Sequence, residues 1–161
     1  MIYEGTNAIQ ALDLVGRKLS QDSGKNILNL MKIIDFFINE NQDNKVLKKQ
    51  FLDPLKESTK DLEAALQFFV EKGLSDPVNV LTGANDFLHL LGNVVLGYMW
   101  AKIAGKAFLE ISKKNPHDEL YQSKIITGKF YMERCLPETK LQLKKIISDK
   151  ALIMELDKEL F

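Results

Sequence analysis

Cysteine is nearly absent from this chain. Cys135 stands alone in 161 residues, which excludes an intrachain disulfide and fits a reducing compartment. Histidine is almost as scarce, with only His89 and His117, so a histidine-rich metal centre is excluded. Charge of one sign is missing too. The 22 Lys and Arg balance 22 Asp and Glu, so no overall field favours nucleic acid or an acidic membrane surface. Local lysine pairs such as Lys144-Lys145 sit among acidic residues and read as solvated helix faces. The start shows no basic-then-apolar signal pattern. The longest apolar run, Leu88 to Ala101, is interrupted by His89, Gly92 and Asn93 and falls short of a bilayer span. A cytoplasmic protein with no membrane span is expected, or one that lies in an organelle matrix after processing.

What is abundant is helical period. Ile9, Leu12, Val15 and Leu19 recur at three- and four-residue steps, giving a first helix after Gly5 that fades near 21–24. Ile27, Leu30, Ile34 and Phe37 give a second, which ends in the polar patch 39–44. Leu47, Phe51, Leu55, Leu62, Leu66 and Phe69 form a third stripe. Pro54 falls inside it and predicts a kink or a short break, because proline removes an amide donor and crowds the preceding turn. Gly73-Leu74 is a stop signal, and Asp76-Pro77 restarts the chain as cap and first helical residue.

From Val78 to Ser112 the sequence is apolar on more than one side, as in the central helix of a bundle. Gly83, Gly92, Gly97 and Gly105 lie within this stretch. Each costs about 1 kcal/mol against Ala, which close approach of a neighbouring helix would offset. Asn115-Pro116 marks another restart, followed by a fifth helix with Leu120, Tyr121, Ile125, Phe130 and Tyr131. Pro137 breaks it, and Leu141, Ile146 and Ile147 make a sixth. The tail 152–157 adds a last turn or short helix. The expectation is all-α: an antiparallel up-and-down helical bundle of about five to six helices with short connections.

Candidate sites are few. Asp86 and His89, three apart on one helical face, make half of a carboxylate-histidine di-metal motif. The other histidine, His117, has a different setting, so no metal site is expected, and His89 reads as a hydrogen-bonded residue inside the bundle. Tyr98, Met99 and Trp100 read as core rather than pocket lining. Cys135, between Tyr131 and Leu136, reads as a buried structural thiol rather than a nucleophile.

The segment Ile2-Tyr3-Glu4-Gly5-Thr6-Asn7-Ala8-Ile9-Gln10 carries most of the functional information. Read alone, an acidic residue followed by Gly-Thr and an apolar period is a plain helix start. The full string resembles the catalytic-base segment of flavin-dependent acyl-CoA dehydrogenases, and it runs on through Gln10 to Leu19. Gly92 to Ala101, and Lys129 through Thr139, resemble later landmarks of the extra C-terminal helical region of that family's long form.

The resemblance implies that Glu4 is the proton-abstracting base, that Gly5 contacts the acyl-CoA, and that Thr6, Asn7 and Ala8 contact FAD. Removing two hydrogens from an acyl thioester needs a base at the α-carbon and a hydride acceptor at the β-carbon; a carboxylate in a dry pocket suits the first, and a flavin the second. It further implies that residues 1–20 end the catalytic helical domain and 21–161 form the bundle extension. The implied partners are an acyl-CoA substrate, an electron-transfer acceptor and a second copy in a homo-oligomer. Much of the family's catalytic architecture has no counterpart in these 161 residues. The chain alone is therefore expected neither to retain FAD nor to oxidise acyl-CoA. The alternative is a free-standing interaction or oligomerisation module in which Glu4 is a vestige.

Overall fold

The computed structural model describes residues 5–21, 23–73, 76–113, 118–148 and 159. Every element among them is helical. The first rod, α1 (5–21), is built from Gly5–Asp13, a widened π-helical turn Leu14–Lys18 and a last turn Leu19–Gln21. Ser23 and Gly24 both take left-handed backbone, at φ 56° and 75°, and turn the chain into α2 (Lys25–Glu40). The polar patch then delivers its cap: the Asn44 side chain accepts from the Leu47 amide at 3.0 Å. From there α3 (45–73) runs through a second widened turn, Lys48–Leu52, into Asp53–Gly73.

Pro54 does not break α3. In a regular helix its ring would press on the Gln50 carbonyl and leave that carbonyl without its amide donor. The widened turn, closed by the Asp53 amide on the Lys48 carbonyl, ends two residues before Pro54 and relieves the conflict. The same offset recurs in α6 (118–135). There the widened turn Tyr131–Cys135 ends two residues before Pro137, and the Leu136 amide reaches the Tyr131 carbonyl at 2.9 Å. Here the helix does end, and α7 (Glu138–Ile146) follows.

The long central stretch is divided where one helix was expected. The Asp76 side chain accepts from the Val78 amide at 3.1 Å and starts a short helix, α4 (Pro77–Thr82), which closes at Gly83. Then α5 (Ala84–Ser112) runs uninterrupted for 29 residues. The division has a packing reason. A Cβ on Gly83 would lie 3.3 Å from Phe69 and 3.4 Å from Ile146, so the short helix closes on a residue that two neighbours crowd.

Helix α5 is the axis of the bundle, contacted by α1, α3, α6 and α7. Pairings along it fix the directions. Leu47 faces Gly105, Leu55 faces Gly97 and Phe69 faces Gly83, so α3 runs antiparallel to α5. Asp86 meets Lys145 and Asn93 meets Gln142, so α7 does too. The core holds Phe51, Leu55, Leu62, Phe87, Leu90, Val94 and Ile34, all inaccessible to solvent. Full burial of such a side chain contributes about 1.5–3 kcal/mol. Rings extend the packing, with Phe69 on Phe87 at 5.0 Å and Phe37 edge-on to Tyr98 at 5.5 Å.

The glycines of α5 differ in purpose. Gly97 admits the Leu136 side chain to 3.0 Å of where its Cβ would stand, and Gly105 admits Leu47 at ordinary contact distance. At Gly92 a Cβ would meet nothing within 4 Å, so the close approach expected there is absent. By length and composition α5 is the one helix among the described residues that would suffice to cross a membrane. The apolar run Leu88 to Ala101 is itself too short for a span, but the helix does not stop at its interrupting polar residues. The helix continues past them and buries Phe87, Leu90, Val94, Tyr98 and Ala101 against its neighbours, a core-helix pattern that passes the same test.

Candidate functional site

Glu4 and Tyr3 lie outside the described residues, as do Leu74, Asn115, Pro116, His117 and the tail 152–157. Gly5 opens the first helix, and Thr6, Asn7 and Ala8 follow on its exposed first turn. Their amides and polar side chains suit contact with an anionic group at a helix start. The clefts at 14–27, at 15–81 and beside Pro54 and Pro137 include none of these three residues. Nothing among the described residues encloses a ring system beside them. None of these three clefts offers a flavin a place beside Thr6, Asn7 and Ala8.

His89 is exposed rather than held inside the bundle. It falls on the outer face of α5, while the inner face at this level is taken by Phe87 and Leu90. Asp86 pairs instead with Lys145 of α7 at 3.4 Å. No group of three His, Cys, Asp or Glu residues suited to a metal occurs among the described residues. Cys135 is half-buried, less enclosed than expected, because it sits on a widened turn. Tyr98 is buried with the Lys102 ammonium 5.3 Å from its ring centre, and Trp100 is half-buried against Gly128. Met99 points outward at 42% exposure. The three diverge around the helix and line no common pocket.

A polar network that the sequence did not announce crosses the bundle. The Tyr131 hydroxyl donates to the Asn93 carbonyl at 3.1 Å or its side-chain oxygen at 3.2 Å. Asn93 in turn donates through Nδ2 to Gln142 Oε1 at 3.3 Å. Burial, with the negative charges that Cys135 and Glu138 can carry, pushes the Tyr131 phenol up to about 12. A second tie joins α3 to α7, where the buried Thr139 hydroxyl donates to Asp61 at 2.7 Å. These bonds pin α5, α6 and α7 together in fixed register. The available signal was Asn93 itself, an amide in the most apolar helix of the chain.

An all-helical bundle organised around a Gly-bearing axial helix, with the Gly5-Thr6-Asn7 turn at the start of α1, is the fold that the motif resemblance to a C-terminal acyl-CoA dehydrogenase region implies. Residues 30–157 match the family model described as acetyl-CoA dehydrogenase C-terminal like, and the chain belongs to that family. It is similar to the 3-methylmercaptopropionyl-CoA dehydrogenase of Ruegeria pomeroyi, 30% identical over 145 residues, covering 90% of this chain and 24% of that protein. It is also similar to the broad-specificity linear acyl-CoA dehydrogenase FadE5 of Mycobacterium tuberculosis, 26% identical over 170 residues, covering 99% of this chain and 27% of that one. The chain spans about a quarter of the length of these curated relatives. The resemblance read from the motifs is borne out.

Proposed function

We propose that this chain is the C-terminal portion of a flavin-dependent acyl-CoA dehydrogenase that removes the α and β hydrogens of an acyl-CoA thioester. The observation that carries the reading is the alignment with two acyl-CoA dehydrogenases over 90% and 99% of the chain. In this reading residues 1–20 close the catalytic helical domain and 21–161 form the extension behind it. Glu4 takes the α-proton, Gly5 lets the thioester approach the backbone, and Thr6, Asn7 and Ala8 meet the edge of FAD. The flavin supplies hydride acceptance, and its electrons pass to a separate acceptor. The protein works in the cytoplasm. The bundle's part is to hold the Glu4 segment at the start of α1, which packs directly on the axial helix.

Two measurements test this. An antibody against the bundle should detect a native polypeptide several domains larger than 18.4 kDa. In that polypeptide Glu4→Gln should lower kcat by roughly 10²–10⁴, the usual contribution of a positioned base, while acyl-CoA binding persists. The isolated chain should purify colourless and inactive. Retained flavin or turnover by the isolated chain would overturn the division of labour proposed here.

A second reading rests on the outer face of α5, where Leu96, Met99 and Ile103 are each at least 40% exposed. This stripe suits a free-standing bundle that self-associates, with Glu4 vestigial. A native band at 18.4 kDa would select it.

A further inference from the structure

Helix α1 meets the bundle along one line. Among its described side chains only Ala11 and Val15 are buried, at 1% and 6% exposure. They stand one turn apart on a helix that packs on α5, so this pair forms the seam between the two. Leu19, packed against the core, continues the line. The widened turn Leu14–Lys18 keeps the three aligned. In a regular helix each step of four residues drifts by about 40° round the axis, and a turn holding one residue more takes up that drift.

The far side of α1 is apolar as well. Ile9, 64% exposed, stands about 200° round the helix from Ala11, and Leu12 is 45% exposed. In the reading proposed above, residues 1–20 belong to the catalytic domain, which takes this second face. The helix is then held from both sides, and the smallest side chain of the seam, Ala11, sets its depth on α5. About 9 Å of helix separates Ala11 from Gly5, the residue after Glu4. A rod of that length needs a tilt of only about 6° to move its end by about 1 Å. Misplacing a catalytic group on that scale costs about a hundredfold in rate.

We propose that Ala11 is a positioning residue for proton abstraction: its side chain sets the depth of α1 on α5 and, through the first turns of that helix, the place of the Glu4 carboxylate. The inference rests on the reading of Glu4 as the base. It adds that the C-terminal bundle, and not the catalytic domain alone, decides where that base stands.

The test uses the full-length polypeptide with whichever straight-chain acyl-CoA, from butyryl to palmitoyl, it oxidises fastest. Ala11→Val adds two methyls to the seam and lifts α1 from α5. It should slow single-turnover reduction of the bound flavin by about tenfold to a hundredfold. Flavin content should stay unchanged and the acyl-CoA Kd within about threefold of the parent. Ala11→Ser, nearly the same size, should keep the parent rate. Gly128→Ala crowds Phe51 and Trp100 instead, and should leave flavin reduction unchanged, which separates positioning from lost stability. Where Ala11→Val fails to take up flavin, Ala11→Gly decides: it loosens the seam without crowding it and should slow reduction by about three- to tenfold at unchanged Kd. Reduction at the parent rate in Ala11→Val or Ala11→Gly overturns the proposal, as does a loss in Gly128→Ala equal to theirs. Glu4→Gln keeps the two failures apart. An active Glu4→Gln enzyme removes the base itself, whereas an inactive one beside a fully active Ala11→Val removes the role of Ala11 alone.

Discussion

At the scale of single residues, two glycines in this bundle predict opposite responses to the same substitution. A Cβ at Gly128 would stand 2.8 Å from Phe51 and 3.3 Å from Trp100. Overpacking costs about 1–3 kcal/mol and outweighs the helix-propensity gain of about 1 kcal/mol. Gly128→Ala should therefore lower stability by roughly 1 kcal/mol net. At Gly92 the Cβ would enter open space, so Gly92→Ala should raise stability by about 0.5–1 kcal/mol. Urea denaturation of both variants checks the pair. Tyr131 gives a pH signature. Burial pushes its phenol from the ordinary 10.0 up to about 12 in the folded chain. The neutral form is thus favoured by folding, and that stabilisation is complete below pH 10 and lost as pH rises towards 12. Tyr131→Phe should cost about 0.5–1.5 kcal/mol at neutral pH and flatten the alkaline limb of a stability profile.

At the scale of elements, the helix starts carry testable weight. Asn44→Ala removes the acceptor for the Leu47 amide and should cost about 0.5–2 kcal/mol, read from thermal melts. The start at Asp76-Pro77 was legible in the sequence because a cap is local and acts within three residues, whereas Asn44 stood there only as part of the polar patch 39–44. The stripes of α2 and α3 were legible for the same reason, as Ile27, Ile34 and Leu62 repeat at helical period and are buried. The outcome at Pro54 was not legible. Proline announces conflict with the turn before it, but whether that turn bends, breaks or widens is decided by what packs on Phe51 and Leu55. The division at Gly83 escaped notice because Phe69 and Ile146, which crowd it, are remote in sequence. His89 was misplaced because α5 has apolar residues on both faces, so period alone does not reveal which side meets solvent.

At the scale of the whole molecule, the family was read from ordered landmarks, while the polar ties between helices were invisible. The bonds from Tyr131 to Asn93 and from Asn93 to Gln142 span 38 and 49 residues, and no local pattern encodes them. The proposed Glu4 site rests on resemblance alone, since a helix start with an acidic residue is chemically ordinary.

The widened turns also change how length variation in this chain should be understood. Each holds one residue more than the regular helix around it, an insertion already absorbed. Deleting Arg17 from the turn Leu14–Lys18 should leave a continuous α-helix with both flanks in phase, and circular dichroism should show a folded chain. Deleting Lys32, in the uninterrupted helix α2, turns everything after it by about 100° and carries Ile34 and Ile38 out of the core. The same one-residue loss is thus silent in one helix and ruinous in the next, so tolerance to gaps maps where this fold keeps its slack.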